Sequence, residues 1–78
     1  MDTTFGTDRY WTSEIRDNKA GYAGIRLHRV SSGKESLAAD VLYWDADGHF
    51  YVQTIDGGVP VEIIEAAITE AKQKVTVR

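Results

Sequence analysis

The chain has 78 residues, 42% apolar and 27% charged, the balance of an ordinary globular domain rather than a disordered segment. A formal net charge of −3 argues against a dominant phosphate-binding role, because nonspecific nucleic-acid affinity comes from accumulated Lys and Arg. The absence of cysteine removes disulfides, thiolate nucleophiles and Cys-type zinc sites.

No apolar run approaches the length of a membrane span, and Met1 to Asp8 lacks a basic, apolar signal pattern, so a cytoplasmic protein is expected. A single domain over residues 1–78 is expected, large enough to fold alone with a thin stability margin. Within it, residues 1–8 place Thr, Gly and Asp around a lone Phe5 and read as a flexible N-terminal arm.

Residues 9–17 alternate as a first strand, with Trp11 and Ile15 pointing one way and Tyr10, Thr12, Glu14 and Arg16 the other. Asn18-Lys19-Ala20-Gly21 then has Asn first and Gly fourth, the chemistry of a bulged turn. That turn places Ile15 opposite Ile25, Ser13 opposite Leu27 and Glu14 opposite Arg26 in a second strand over 22–30. Apolar residues meet and charges pair. A two-residue turn at Ser32-Gly33 sets Leu27 opposite Ala38, Ala23 opposite Leu42 and Gly24 opposite Val41. Asp40 is the misfit, opposite Ile25 on the apolar face. An uncovered end of the sheet explains it plainly; a buried carboxylate with a raised pKa is the sharper alternative.

Strands over 36–45 and 49–55 flank Asp45-Ala46-Asp47-Gly48 and form the hairpin around which the chain is organised. The Asp carboxylates suit a type I turn and Gly48 the bulge that closes it, which sets Trp44 opposite Phe50, Tyr43 opposite Tyr51 and Leu42 opposite Val52. Leu42, Trp44, Phe50 and Val52 then share one apolar face. A two-residue Asp47-Gly48 turn competes, and would slip one strand and swap its face.

Asp56-Gly57-Gly58 ends the last strand, and Pro60 opens a helix over about 60–74, taking the first helical position. Val61, Ile64, Ala67, Ile68, Ala71 and Val75 make its apolar stripe, with Ile63 at the flank. Acids early and Lys72, Lys74 and Arg78 late suit the helix dipole, while no good side-chain cap precedes Pro60. The sum is an α+β fold, ββββα: a four-stranded antiparallel meander in the order 1-2-3-4, with the C-terminal helix packed on one face. The expected core is Trp11, Ile15, Ala23, Ile25, Leu27, Ala38, Leu42, Trp44, Phe50, Val52, Ile64, Ile68 and Ala71.

One helix covers one face of such a sheet, which leaves the other to water or a partner. On that open face the expected rows run Asn18-Tyr22-Tyr43-Tyr51, then Arg16-Gly24-Val41-Gln53, then Glu14-Arg26-Ala39-Ile55. Tyr22, Tyr43, Tyr51, Arg26, Arg16 and Gln53 are therefore the candidate partner-binding residues, because Tyr and Arg combine wide contact area with a polar end. Strand-pairing tyrosines with no partner are the competing explanation.

Chemistry beyond binding finds little support. Asp45 and Asp47 are explained by the turn, one His49 beside them makes a weak site, and the other ligands of a calcium loop are missing, so no metal is expected. Ser-Ser-Gly-Lys-Glu at 31–35 resembles a fragment of a phosphate loop without its second glycine or its strand-to-helix setting. No nucleophile elbow or catalytic constellation is evident, so no enzyme and no cofactor is expected. The expected function is a small non-enzymatic protein-binding module of inhibitor or accessory type, a class that by size alone includes phage-encoded antagonists. The alternatives are a homodimer through the same face, or single-stranded nucleic-acid binding by stacked aromatics.

Overall fold

The computed structural model describes residues 1–75, so Arg78, invoked above for the helix dipole, lies outside the described residues. The elements are β1 (Asp2–Phe5), β2 (Asp8–Asp17), β3 (Tyr22–Ser31), β4 (Lys34–Trp44), β5 (His49–Thr54) and α1 (Val61–Lys74). All five strands join one antiparallel sheet in the order β1-β2-β3-β4-β5, and α1 packs on one face of it. The α+β meander with its C-terminal helix is as expected, with one strand more.

That strand is the N-terminal segment expected to be a loose arm. Its four residues pair with β2 from Asp2↔Trp11 to Phe5↔Asp8, and Arg9 grips the Asp2 carboxylate through bonds of 2.9 and 2.6 Å. The Met1 ammonium is held between Thr12 Oγ1 at 2.8 Å and Glu70 Oε1 at 2.6 Å, tying the start of the chain to the helix.

Two of the three expected turn registers differ by one residue. Asp17 pairs with Tyr22 and Trp44 with His49, so each of these loops holds four residues rather than three. Each closes by a bond from its last glycine: Gly21 N–H to Asp17 O at 2.8 Å, Gly48 N–H to Trp44 O at 2.9 Å. Both glycines have positive φ, 87° and 71°, which their neighbours with a Cβ adopt only at a cost. Asp17, not Asn18, organises the first loop, its carboxylate accepting from Lys19 and Ala20 N–H at 3.0 and 2.9 Å.

The β3–β4 turn has the expected register at its tip, Ser31↔Lys34, but a bulge intervenes between Leu27 and His28. Ala38 is the extra residue, since His28 faces Leu37 and Leu27 faces Ala39. The two adjacent alanines are small enough to be buried together, and both are fully buried in the core.

These shifts decide the faces. On β3 and β5 the expected inward residues Ile25, Leu27, Phe50 and Val52 do face the helix side, but β2 and β4 are reversed. Trp11, Ile15, Leu42 and Trp44, expected in the core, stand on the face away from α1. Their places are taken by Tyr10, Thr12, Val41 and Tyr43. The core comprises Tyr10, Leu27, Ala38, Ala39 and Ile63 at one end of the helix, and Ile25, Val41, Ala67 and Ala71 at the other. Ile63, Ala67 and Ala71 recur every fourth residue and form the buried line of α1, with Ile64 and Ile68 beside it and Val61 exposed. The stripe is thus rotated toward Ile63, and its alanines allow the helix to lie close to the sheet.

Pro60 precedes the helix as its N-cap rather than opening it. Its carbonyl accepts from Ile63 and Ile64 at 3.0 and 3.1 Å, and no side chain caps the terminus. Arg29 fixes the loop before it, donating to the carbonyls of Gly58, at 2.8 Å, and Asp56, while its guanidinium lies 5.9 Å from the Tyr10 ring centroid.

Candidate partner-binding surface

Antiparallel partners share a face, so the register sets what the open face presents. Across β2 to β5 its rows run Asp17-Tyr22-Trp44-His49, Ile15-Gly24-Leu42-Tyr51 and Ser13-Arg26-Asp40-Gln53. Trp11, His28 and Leu37 follow. Among the described residues no second layer covers this face.

Of the candidate residues, Tyr22, Arg26, Tyr51 and Gln53 lie here. Tyr43 and Arg16 do not. The slip in β2 and β4 sends both to the helix side, where Tyr43 is buried with its ring centroid 5.1 Å from that of Phe50. Arg16 and Tyr43 instead border a depression of about 350 Å³ near Val75. The three-tyrosine row is therefore absent. Trp44 stands beside Tyr22, ring centroids 4.9 Å apart and tilted by 53°, and Tyr51 sits one row further along beside Leu42.

Trp11 and Trp44 were missed as surface residues because each adjoins a tyrosine, Tyr10 or Tyr43, that fits the core as well. Both are half-buried. Trp11 lies flat against His28, with ring centroids 3.8 Å apart and planes 5° from parallel. Ser13 Oγ, 2.8 Å from His28 Nε2, fixes that ring in its plane. Glu35 Oε1 is 4.0 Å from His28 Nδ1, which completes a Ser-His-Glu sequence that the pattern of the chain gave no reason to seek. The acid is beyond hydrogen-bond reach, and Ser13 lies mid-strand opposite Arg26. The group anchors the Trp11 platform.

At the centre of the face Arg26 forks onto Asp40, Nε to Oδ1 at 3.0 Å and Nη2 to Oδ2 at 3.1 Å. Asp40 is the misfit of the earlier register, and the bulge at Ala38 is what moves it from Ile25 to Arg26. The bond to Asp40 holds the Arg26 guanidinium above its ordinary pKa. The pair forms a nearly neutral polar row between the Ile15-Gly24-Leu42-Tyr51 row and the stacked Trp11 and His28.

At the hairpin tip, Asp47 accepts from His49 N–H at 3.1 Å and from the Tyr51 hydroxyl. The Tyr51 bond holds the Asp47 carboxyl below the usual range and, in return, raises the Tyr51 phenol. Asp47 is thus engaged by the turn, and among the described residues no group of three His, Asp or Glu side chains is placed to hold a metal ion. Among the described residues, no helix is long and apolar enough to cross a membrane. In comparisons with known proteins, no family model matches the chain, and no curated protein or solved structure matches it.

Proposed function

We propose that this chain is a non-enzymatic protein-binding module, of inhibitor or accessory type, whose contact surface is the sheet face opposite α1. The carrying observation is the position of both tryptophans, with Tyr22 and Tyr51, on a face that nothing among the described residues covers. Aromatic residues beside an arginine are the composition of binding hot spots. Arg26, with Gln53 at the edge, supplies polar contacts there; Arg16 and Tyr43, on the other side, take no part. The same reading sets the module in the cytoplasm, supported by a cysteine-free sequence that suits a reducing compartment.

Single-stranded nucleic acid is the second reading, favoured by the same aromatic platforms. It is the weaker one, because the arginine central to the face is already neutralised by Asp40 and the whole chain carries a net −3.

The test is affinity capture from extract of the source cells on immobilised protein, compared with Tyr22→Ala, Trp44→Ala and a control, Glu65→Ala, on the exposed side of α1. A protein retained by the wild type and the control but lost from both open-face variants, each still folded by circular dichroism, is the expected result. Retention on all four would sink the assignment of this face. Loss of capture on nuclease treatment would move the reading to nucleic acid.

A further inference from the structure

The outer edge of β5 differs from every other exposed part of the sheet. Natural edge strands are protected by Lys, Pro, inward charges or bulges. β5 runs His-Phe-Tyr-Val-Gln-Thr over 49–54 with no acidic residue, no Lys or Arg, and no Pro, and it has no bulge against β4. By contrast β1, at the other edge, carries Asp2 in an ion pair with Arg9, and the part of β2 that β1 leaves unpaired holds Glu14, Arg16 and Asp17. Exposed apolar side chains also gather at β5, where Tyr51 is 47% exposed, Val52 43% and Ile55, just past its end, 46%, against Phe5 alone, 44%, on β1.

We infer that β5 pairs with β5 of a second copy of this chain, about a twofold axis through Val52, to make one continuous ten-stranded sheet. The backbone fixes the register. Ile55 donates to Ala38 O at 2.9 Å, so in an antiparallel ladder the residues in phase with it, Tyr51 and Gln53, turn their peptide groups to β4. Phe50, Val52 and Thr54 turn theirs outward. Outward groups bond only to outward groups, and pairing Val52 with itself and Phe50 with Thr54 uses all of them.

The occupant is a second copy because the strand is complementary to itself. A twofold antiparallel pairing sets the axial residue against its own equivalent and the residues flanking it against one another, so a charge at the axis would face its like. β5 has none to face. The register also places Val52 against Val52 on the helix side, beside Val41, which is fully buried. The core row is thereby extended across the axis, and both helices fall on the same side. On the other side Tyr51 meets Gln53. This inference does not depend on the open-face reading, although it would place two such faces side by side.

The test is sedimentation equilibrium of the full chain over a range of concentrations. A monomer–dimer equilibrium is expected for the wild type. In Val52→Lys, which puts two ammonium groups at the axis, the dimer should dissociate at least about tenfold more readily. Thr54→Pro is the second variant: it removes one outward N–H that no strand pairs among the described residues, so the fold tolerates it and the dimer does not. Tyr22→Ala, far from the edge on the open face, should leave the equilibrium unchanged. A wild type that stays monomeric throughout overturns the inference. So does a dimer that both folded edge variants preserve, or one that Tyr22→Ala alone dissolves.

Discussion

Arg26 and Asp40 face one another across β3 and β4 and bond in parallel at 3.0 and 3.1 Å, with the Asp40 side chain only 9% exposed and that of Arg26 35%. The carboxylate is desolvated, and among the described residues the guanidinium is its only charge partner at bonding distance. Removing Arg26 would leave a buried acceptor unmatched, at a cost of about 1–3 kcal/mol. Arg26→Lys should recover little, because an ammonium cannot reproduce the fork. Arg26→Ala combined with Asp40→Ala should cost less than the sum of the single changes, and a double-mutant cycle in urea checks this. Additive costs would mean that the pair is solvated and uncoupled.

The Asp40 position also marks what the sequence could and could not convey. The α+β class, the meander order and the helix were legible, because turn residues at 18–21, 32–33 and 45–48 and helical periodicity after Pro60 each carry their own signal. Register was not, since neighbouring residues in β2 and β4 are both fit for burial: Tyr10 and Trp11, Val41 and Leu42, Tyr43 and Trp44. A one-residue slip there exchanges one aromatic for another, so alternation cannot choose between the two. Charge did give a warning, through Asp40 beside Ile25, and the bulge at Ala38 resolves it. β1 was hidden for another reason: four residues of Asp, Thr and Phe have little pattern, and their pairing depends on β2 and on the Met1–Glu70 contact.

Gly24 is fixed by the close approach of β4. A Cβ there would lie 1.9 Å from the Val41 carbonyl oxygen and 2.9 Å from its carbon, both backbone atoms that cannot rotate away. Gly24→Ala should therefore destabilise by about 1–3 kcal/mol or more, by forcing the two strands apart. Gly58→Ala, where an added Cβ meets nothing, serves as the control in thermal melts. Equal melting temperatures would show that the strands give way easily.

The reversed faces predict a reversed pair of mutational costs. Tyr10 is 2% exposed and packs on Leu27 and Ile63, so Tyr10→Ala should cost about 3–5 kcal/mol. Trp11, half-buried and stacked on His28, should cost well under half of that as Trp11→Ala. Chemical denaturation of the two variants decides the matter. A greater loss in Trp11→Ala would put the β2 faces the other way round.

Glu70 gives the fold a pH dependence whose sign follows from its contacts. Burial pushes its carboxyl up, but the Met1 ammonium at 2.6 Å and the Thr12 hydroxyl at 2.8 and 2.9 Å outweigh burial and hold it below the usual 4.5. A carboxyl depressed in the folded state contributes stability that is complete above its unfolded value and is lost as pH falls through the folded one. Glu70→Gln keeps the shape and removes the charge, so at neutral pH it should cost about 1–3 kcal/mol, the range for a charge-assisted bond. On acidification below about 4.5 the wild type should lose this advantage while the variant does not, and their melting temperatures should converge. Thr12→Val should weaken the wild type in the same direction, because the carboxylate then keeps its burial and forfeits one of its donors. Melts of the three proteins from neutral pH into the acid range make the comparison. A gap between wild type and Glu70→Gln that stays constant across that range would mean that the carboxylate's shape, not its charge, holds the N-terminus to the helix.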